Sequence, residues 1–315
     1  MTDIRQSKLF ANFMKDLGWK AEKIQNSYVY LRRFPFLGYF AKIPKITPPL
    51  PLTDIDALRL KYNIFQIKIA PDILTDNRQY KILLKQLAIK KFKMDISPFN
   101  PTTDIRFDLT IDGKDIFSNF TEAKRRGVRR AIKNHITVIE SDDYESFIKI
   151  RKKQYSPVGF LIAPEMHKLW RNFYPSHASL LLAYSNTDTS THNVFSEIPK
   201  QVKFLSGKNN PEPVAGILLL FYNSVAYYWY ASALKKGKRL FAPTLLVWQA
   251  LRISQKRGCK EFTFEGIYDE RFPKAAQSWK GFTKFKEGFG GKKVVYMENF
   301  SQIPNPVLGL LHFVM

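Results

Sequence analysis

The sequence has a single cysteine, Cys259, so no disulfide can form within the chain. We therefore expect a reducing, cytoplasmic setting. No run approaches the roughly 18 apolar residues that a membrane-spanning helix requires, and the opening residues MTDIRQSKLF lack the apolar stretch of a signal peptide. The apolar segment NPVLGLLHFVM at residues 305–315 is too short to span a bilayer. We expect it either to dock on the core or to dip into a membrane surface.

Motifs for metal, nucleotide and nucleophile chemistry are also missing. The chain has no CxxC pair and no paired histidine spacing, so a structural zinc site is not expected. The absence of GxGxxG and GxxxxGK(S/T) argues against dinucleotide and P-loop binding, and no GxSxG elbow is present. We therefore predict neither a metal nor a bound cofactor. The histidines are scattered, and each is interpreted as a surface or core residue: His135, His167, His177, His192 and His312.

Acidic residues are few, with 27 Asp and Glu against 50 Lys and Arg, which gives a formal net charge of +23. So large an excess repels itself and usually reflects an anionic partner. A nucleic acid, an anionic membrane face and a phosphorylated small molecule remain open as explanations. A general lysine-rich compositional bias is the alternative that needs no partner.

The chain is long and apolar enough for a large folded core, because it has 315 residues of which 45% are hydrophobic. This length favours two domains of about 150 residues each. Helical and strand patterns alternate along both halves, and a hairpin is predicted around Tyr222, Asn223 and Ser224. The fold class is therefore predicted as α/β (α+β), with mixed sheets flanked by helices. The polar segment at residues 187–212 is predicted to be a long, partly mobile insertion.

Cations and aromatic residues are concentrated in the second half. Strand alternation predicts Tyr228 and Tyr230 on one face and Tyr227 and Trp229 on the other. A basic loop that includes Arg239 precedes a predicted helix N-terminus near Pro243. Such a combination is typical of an anion site. A second cationic segment, the helix at residues 124–133, is interpreted either as a surface that steers RNA or as an ordinary solvated face.

Six pieces of the chain, in order, resemble the FemABX family of aminoacyltransferases, which extend the peptide of a peptidoglycan precursor with an amino acid from aminoacyl-tRNA. The resemblance covers nearly the whole chain. The pieces are QSKLFANFMKDLGW, IFQIKIAPD, NPTTDIRFDL, RRGVRRAIKNHITV, YYWYASALKKGKRLFAPTLLVWQALRISQKRGCKEFTFEGI and GFTKFKEGFGGKKV.

This resemblance implies two GNAT-like acyltransferase subdomains without a coiled-coil arm. The first is expected at residues 1–141, with 292–315 returning to it, and the second at residues 142–291. The implied co-substrate is aminoacyl-tRNA and the implied acceptor is the stem-peptide amine of a peptidoglycan precursor, either a UDP-muropeptide or lipid II. We expect a cytoplasmic monomer with peripheral contact at the inner membrane face.

The resemblance also implies the site residues. Lys286 is expected to stabilise the oxyanion of the tetrahedral intermediate, and Phe285 to shape the pocket beside it. Lys284 is expected to be a peripheral basic residue. Substrate contacts are expected at four further positions: Lys15, Tyr228, Tyr230 and Arg239. The base that deprotonates the attacking amine stays open between Glu265, Asp269 and the substrate's own groups.

The chain departs from the family pattern at three places, one of which is the usual Asp of FD.GG, whose place Thr263 or Phe264 takes, with Glu265 close by. The family's glycine-containing GAS is Ala231-Ser232-Ala233, and the segment YSPVGF at residues 155–160 lacks the arginine that relatives often carry shortly before GF. Two other functions therefore stay open. One is an acyl-CoA-dependent N-acyltransferase, which the proline in RLFAPT disfavours because Pro243 has no N–H for a phosphate. The other is a noncatalytic binder of RNA or an anionic membrane on the same scaffold.

Overall fold

The computed structural model describes residues 2–187, 193–199 and 212–303. Most of the predicted insertion and the apolar segment at 305–315 lie outside the described residues. The helices are α1 (Lys8–Asp16), α2 (Leu52–Lys61), α3 (Tyr80–Ile89), α4 (Gly113–Ser118), α5 (Glu122–Lys133), α6 (Tyr144–Gln154), α7 (Ala163–Phe173), α8 (Lys235–Arg239), α9 (Ala242–Lys256) and α10 (Lys280–Glu287), with 3-10 helices at Ile4–Gln6, Val158–Ile162 and Gln277–Trp279.

The strands belong to two mixed sheets. They are β1 (Lys20–Ile24), β2 (Ser27–Phe34), β3 (Gly38–Ile46), β4 (Ile64–Pro71), β5 (Lys93–Met94), β6 (Thr103–Asp108), β7 (Thr137–Ser141), β8 (Ala178–Tyr184), β9 (Ala215–Tyr222), β10 (Val225–Ala233), β11 (Glu261–Thr263), β12 (Lys292–Val295) and β13 (Phe300–Gln302). The predicted α/β class with mixed sheets flanked by helices is confirmed. In the part of the chain that the structure describes, the longest helix is α9 with 15 residues, too short for a coiled-coil arm.

The chain folds into two compact units. The first comprises Met1–Asp104, Gly266–Lys280 and Lys293–Met315, and the second comprises Ile105–Glu265 and Gly281–Lys292. The sequence-based boundary between residues 141 and 142 falls inside the second unit, between β7 and α6. The C-terminal strand β13 belongs to the first unit, where it pairs with β4 and β5.

In the first unit, helices α1, α2 and α3 accompany a six-stranded sheet with the order β1-β2-β3-β4-β13-β5. Its neighbours β3 and β4 are parallel, while β2 and β3 are antiparallel. Branched aliphatic side chains such as Ile43 and Ile67 are fully buried and form a core with Leu87 and Phe300. Most of the stabilisation of this unit comes from removing such apolar surface from water.

The second unit is built on a seven-stranded sheet with the order β12-β6-β11-β10-β9-β8-β7. At its centre β9 and β10 form the predicted hairpin, whose turn residues Asn223 and Ser224 both have positive φ, 48° and 61°. That conformation suits the right-handed twist of the paired strands. The hydrophobic helix α9 contacts this hairpin and buries Trp248 completely.

The pairing of β9 with β10 contains a bulge that overturns one expectation. Tyr228 pairs with Leu219 and Tyr230 pairs with Leu218, so Trp229 is an extra residue on β10. Because an extra residue shifts the two-residue alternation by one, Tyr228 and Tyr230 point to opposite faces of the sheet. The prediction that they share one face is wrong, since it assumed an uninterrupted strand.

The helix predicted at the end of the second half is confirmed as α10, which a 3-10 turn at Gln277–Trp279 precedes. Gly290 and Gly291 follow it with φ values of 80° and 84°, a region that glycine adopts without strain. They turn the chain from α10 into β12. No helix among the described residues is both long and apolar enough to cross a membrane.

Candidate active site

A cavity of about 650 Å³ borders α9 in the second unit, but a second cavity of about 500 Å³ contains more of the predicted site. Its wall consists of the ends of β9 and β10, the residues around the start of α9, and parts of α5 and α10. The ladder between β10 and β11 stops at Tyr227, and the cavity lies beside the later part of β10, from Tyr228 to Ala233. The bulge therefore sits at the point where the sheet opens onto the cavity. The volume is in the range of pockets that bind small molecules.

Lys286 is buried, with 8% of its surface exposed, on the inner face of α10. Its Nζ donates a hydrogen bond of 2.8 Å to the carbonyl oxygen of Phe264. The same Nζ lies 4.8 Å from the ring centre of Phe282 and 5.8 Å from that of Tyr228. Both rings line the cavity, whereas Lys286 is not among the lining residues. Its ammonium therefore sits just behind an aromatic part of the wall.

Phe285 lines the cavity directly and packs edge-on against Phe289 at 5.1 Å between ring centres. This contact agrees with the spacing of four residues between them. Lys284, on the same helix, is exposed. The lysines of one short segment thus have different environments, as the sequence analysis predicted.

Lys124 is a site residue that the sequence analysis did not single out. It lines the cavity from α5, and its Nζ lies 3.8 Å from the ring centre of Phe285. Burial lowers the pKa of its ammonium from 10.5 to about 8. The sequence did contain a signal for the inward position of Lys124, namely its spacing on α5. Lys124 stands four residues before Val128 and seven before Ala131, and both of these are fully buried. A lysine on the buried face of a helix is unlike the solvated lysines around it.

Tyr228 and Tyr230 of β10 lie in different surroundings. Tyr228 packs edge-on against Phe264 at 5.2 Å and lines the cavity, and burial raises the pKa of its hydroxyl. Tyr230 lies on the other face, where its hydroxyl donates to Oε1 of Glu165 at 3.2 Å. Only Tyr228 therefore contributes to the cavity.

Arg151, on α6, is another cation that was not singled out from the sequence, and unlike the partly buried Lys124 it is buried. It donates to the carbonyl oxygen of Ala231 at 3.3 Å and to Oγ of Ser232 at 3.2 Å. Its guanidinium lies over the rings of Tyr230 and Tyr155, at 4.4 Å and 5.3 Å. The family pattern places an arginine shortly before Gly159, whereas Arg151 stands eight residues before it. Its signal was an arginine four residues after the buried Phe147, on the apolar face of α6.

The remaining predicted residues do not join this cavity. Arg239 is exposed on α8, while its neighbour Lys238 lines the cavity. Lys15 is exposed on α1 in the first unit. Of the six predicted site residues, the structure thus brings together Tyr228, Phe285 and Lys286.

The start of α9 offers few donors to an anion. Pro243 is in its first turn and has no N–H. The N–H groups of Thr244 and Leu245 both donate to the carbonyl oxygen of Phe241, at 3.0 Å and 3.3 Å. Consequently, this helix N-terminus does not present the row of free amides that binds a pyrophosphate.

Asp269, one of the two carboxylates considered as the base, lies in the first unit and is hydrogen-bonded to other residues of that unit. Although burial alone would raise the pKa of its carboxyl, hydrogen bonds from Arg271, Thr102 and Thr103 hold that pKa well below its usual range. A carboxylate held this way accepts a proton only in strong acid. In the described ranges, no group of three or more His, Cys, Asp or Glu side chains is arranged to hold a metal ion.

Comparisons with known proteins support one family. The model of the FemAB family matches residues 185–313. Among solved structures, the chain is similar to FemX at 15% identity, over 98% of this chain and 94% of that chain, with a TM-score of 0.76. It is also similar to the C-terminal domain of a putative lysylphosphatidylglycerol synthetase from Agrobacterium fabrum, at 12% identity over 99% and 92% of the two chains, with a TM-score of 0.57.

A tandem GNAT protein from the clavulanic acid biosynthesis pathway matches at 9% identity over 89% of this chain and 83% of that chain, with a TM-score of 0.52. The comparison with curated proteins found no match. At these identities the similar structures establish the fold, which is a mixed α/β fold of the GNAT type.

Proposed function

We propose that the chain is an aminoacyltransferase that uses aminoacyl-tRNA, because the FemAB family model matches residues 185–313 and the fold is similar to that of FemX. The acceptor is the stem-peptide amine of a peptidoglycan precursor. The observation that carries the proposal is the buried ammonium of Lys286, which lies 4.8 Å and 5.8 Å from the ring centres of two cavity-lining residues, Phe282 and Tyr228. A buried cation at a cavity wall is costly unless charge or hydrogen bonds compensate it.

The reaction is the aminolysis of an ester. The acceptor amine attacks the carbonyl carbon of the ester that carries the aminoacyl group. The carbonyl oxygen then becomes negatively charged in the tetrahedral intermediate. Collapse of the intermediate breaks the bond to the ribose oxygen, which takes up the proton that the amine loses. Lys286 is proposed to stabilise the oxyanion, after a small shift of the wall residues brings its ammonium to the cavity. One such preorganised donor contributes about 10²–10³ in rate.

A tRNA co-substrate suits this chain better than coenzyme A. The start of α9 lacks the free amides that a pyrophosphate needs, because Pro243 has no N–H and the next two N–H groups are bonded to Phe241. The net charge of +23 and the exposed Arg126, Arg130 and Lys133 on α5 favour a polyanion. We propose no other cofactor, and a monomeric, cytoplasmic enzyme.

The test is a transfer assay with the full chain. Purified protein is mixed with charged tRNA and either a UDP-muropeptide or lipid II, and the acceptor is examined by mass spectrometry. We expect a mass gain of one amino acid residue. No gain with any amino acid or acceptor, or a thermal shift with coenzyme A and none with tRNA, would contradict the proposal.

Lys286→Met tests the role of the buried ammonium. We expect transfer to fall by about 10²–10³ while the circular dichroism spectrum stays that of the folded chain. Lys284→Met is the matched control, because Lys284 lies on the same helix but is exposed, and it should retain full transfer. Full activity of Lys286→Met would remove Lys286 from the mechanism.

A further inference from the structure

The connection between α6 and α7 exposes an unusual run of apolar side chains, called here the apolar turn (residues 158–161). Val158 is 57% exposed, and Phe160 and Leu161 are each 64% exposed. Single exposed apolar residues are ordinary, but contiguous large ones mark a surface that contacts something other than water. The apolar turn belongs to the second unit.

The backbone of the apolar turn is held against α6. Gly159 is buried, and a Cβ at this position would lie 2.5 Å from the carbonyl oxygen of Lys152. This close approach seats the turn on the end of α6 and leaves Phe160 and Leu161 in solvent. The apolar side chains are therefore presented by a packed backbone.

Basic residues are frequent in the two helices that flank the apolar turn in the chain, α6 and α7. Residues 149–171 contain six basic side chains and one acidic side chain, Glu165. One of the six, Lys153, bonds Glu212 at 2.9 Å, and Arg151 is buried. The exposed ones include Lys149, Lys152 and Lys153 on α6 and Arg171 on α7.

We propose that the apolar turn inserts into the headgroup region of an anionic lipid bilayer, while the exposed lysines of α6 and Arg171 of α7 contact lipid phosphates. Exposed apolar side chains flanked by exposed cations are a combination that binds a membrane interface, because the apolar groups enter the acyl boundary and the cations meet the anionic surface. The inference needs no catalytic step and stands independently of the proposed transfer reaction. Insertion of the apolar turn adds an apolar contribution to the electrostatic attraction between the membrane and a chain of net charge +23.

Co-sedimentation with lipid vesicles tests the insertion. We expect the full chain to bind vesicles of phosphatidylcholine with phosphatidylglycerol, to bind pure phosphatidylcholine vesicles far less, and to be released partly by high salt. The double variant Phe160→Ser with Leu161→Ser should bind about tenfold more weakly. The matched control is Leu60→Ser with Ile89→Ser, because these residues are 75% and 78% exposed on the first unit, and it should bind like the unaltered chain.

A dye placed on the turn reports insertion directly. Phe160→Cys, labelled with an environment-sensitive fluorophore, should show a blue shift when anionic vesicles are added, whereas the same label on Ile89→Cys should not. The label is selective because Cys259 is the only other cysteine and is buried.

Three results would overturn the inference. The first is unchanged vesicle binding by the Phe160 and Leu161 double variant, and the second is equal binding to neutral and anionic vesicles. The third is a melting temperature of the double variant that falls well below that of the control variant, because the turn would then be packed against the chain itself. Loss of vesicle binding with unchanged transfer to a soluble acceptor would support insertion and leave the proposed transferase intact.

Discussion

Burial distinguishes lysines that look alike in the sequence. Lys284 and Lys286 are two residues apart, yet the first is exposed and the second is buried and bonded to the carbonyl oxygen of Phe264. Lys124, from a distant part of the chain, reaches the same region and lies over the ring of Phe285. At the residue scale, the cations of the candidate site are therefore those that folding removes wholly or partly from water, Lys286 and Lys124, and not their exposed neighbour Lys284.

Lys124 should be unusually reactive toward amine reagents at mildly basic pH. Burial lowers the pKa of its ammonium from 10.5 to about 8, so about half of it is the neutral, nucleophilic amine near pH 8. We expect limiting acetylation at that pH to modify Lys124 early, with a rate that levels off as pH rises through the lowered pKa. Peptide mass spectrometry across the pH range measures this rate.

Lys284 serves as an internal reference in the same digest, because it is exposed on the neighbouring helix α10. If acetylation of Lys124 simply paralleled that of Lys284 at every pH, the lowered pKa would be refuted. A Lys124→Arg variant should lose the early modified peptide without losing its fold.

Two backbone features place the elements of the site. The bulge at Trp229 sends Tyr228 into the cavity and Tyr230 toward Arg151. The glycine pair after α10 returns the chain to the sheet, and each glycine lies close to another strand or turn. A Cβ on Gly290 would stand 2.7 Å from the carbonyl oxygen of Asn119, and one on Gly291 would stand 2.8 Å from that of Arg106.

Gly291→Ala should destabilise the fold. The new Cβ would both clash with the Arg106 carbonyl and force alanine to a φ of 84°. We expect the free energy of unfolding to fall by about 1–3 kcal/mol, measured by urea denaturation. Transfer should fall with it, because α10 carries Phe285 and Lys286.

Gly281→Ala is the control for this experiment. Nothing lies within 4 Å of a Cβ at Gly281, which is in the first turn of α10. Since alanine is the better helix former, stability should stay the same or rise by up to about 1 kcal/mol. Equal losses in both alanine variants would show that the left-handed conformation is not what Gly291 provides.

At the scale of the whole molecule, the excess of 50 basic over 27 acidic residues dominates. Such a charge should make tRNA binding strongly salt-dependent, because each phosphate contact releases counterions. We expect the affinity to fall steeply as salt rises, and the double variant Arg126→Gln with Lys133→Gln on α5 to flatten the slope of log K against log salt by about 1 per lost contact. Filter binding or fluorescence anisotropy with uncharged tRNA measures both.

Lys81→Gln with Lys85→Gln removes the same charge from exposed positions on α3 and is the matched control. If both double variants changed the slope equally, tRNA would be responding to total charge, and α5 would lose its role as the contact surface.

Local patterns in the sequence predicted several elements correctly. The hairpin at residues 222–224, the long helix α9 and the glycine-ended α10 were predicted because hydrophobic periodicity and turn residues act over a few positions. The predicted face of Tyr230 was wrong, because a single inserted residue at a bulge leaves no clear mark in an alternating aromatic run. Arg151 was missed because its partners, Ala231 and Ser232, are about 80 residues away in the chain.

By itself, the sequence determined the α/β class, the basic charge, the family resemblance and the candidate Lys286, because composition, periodicity and motif order are properties of the chain. Tertiary structure alone decided which cations are buried. It placed Lys124 beside Phe285 and Arg151 beside Tyr230, and it exposed the apolar turn. The reason is physical: burial, a lowered pKa and an exposed apolar surface depend on neighbours brought together by folding, and no local pattern carries them.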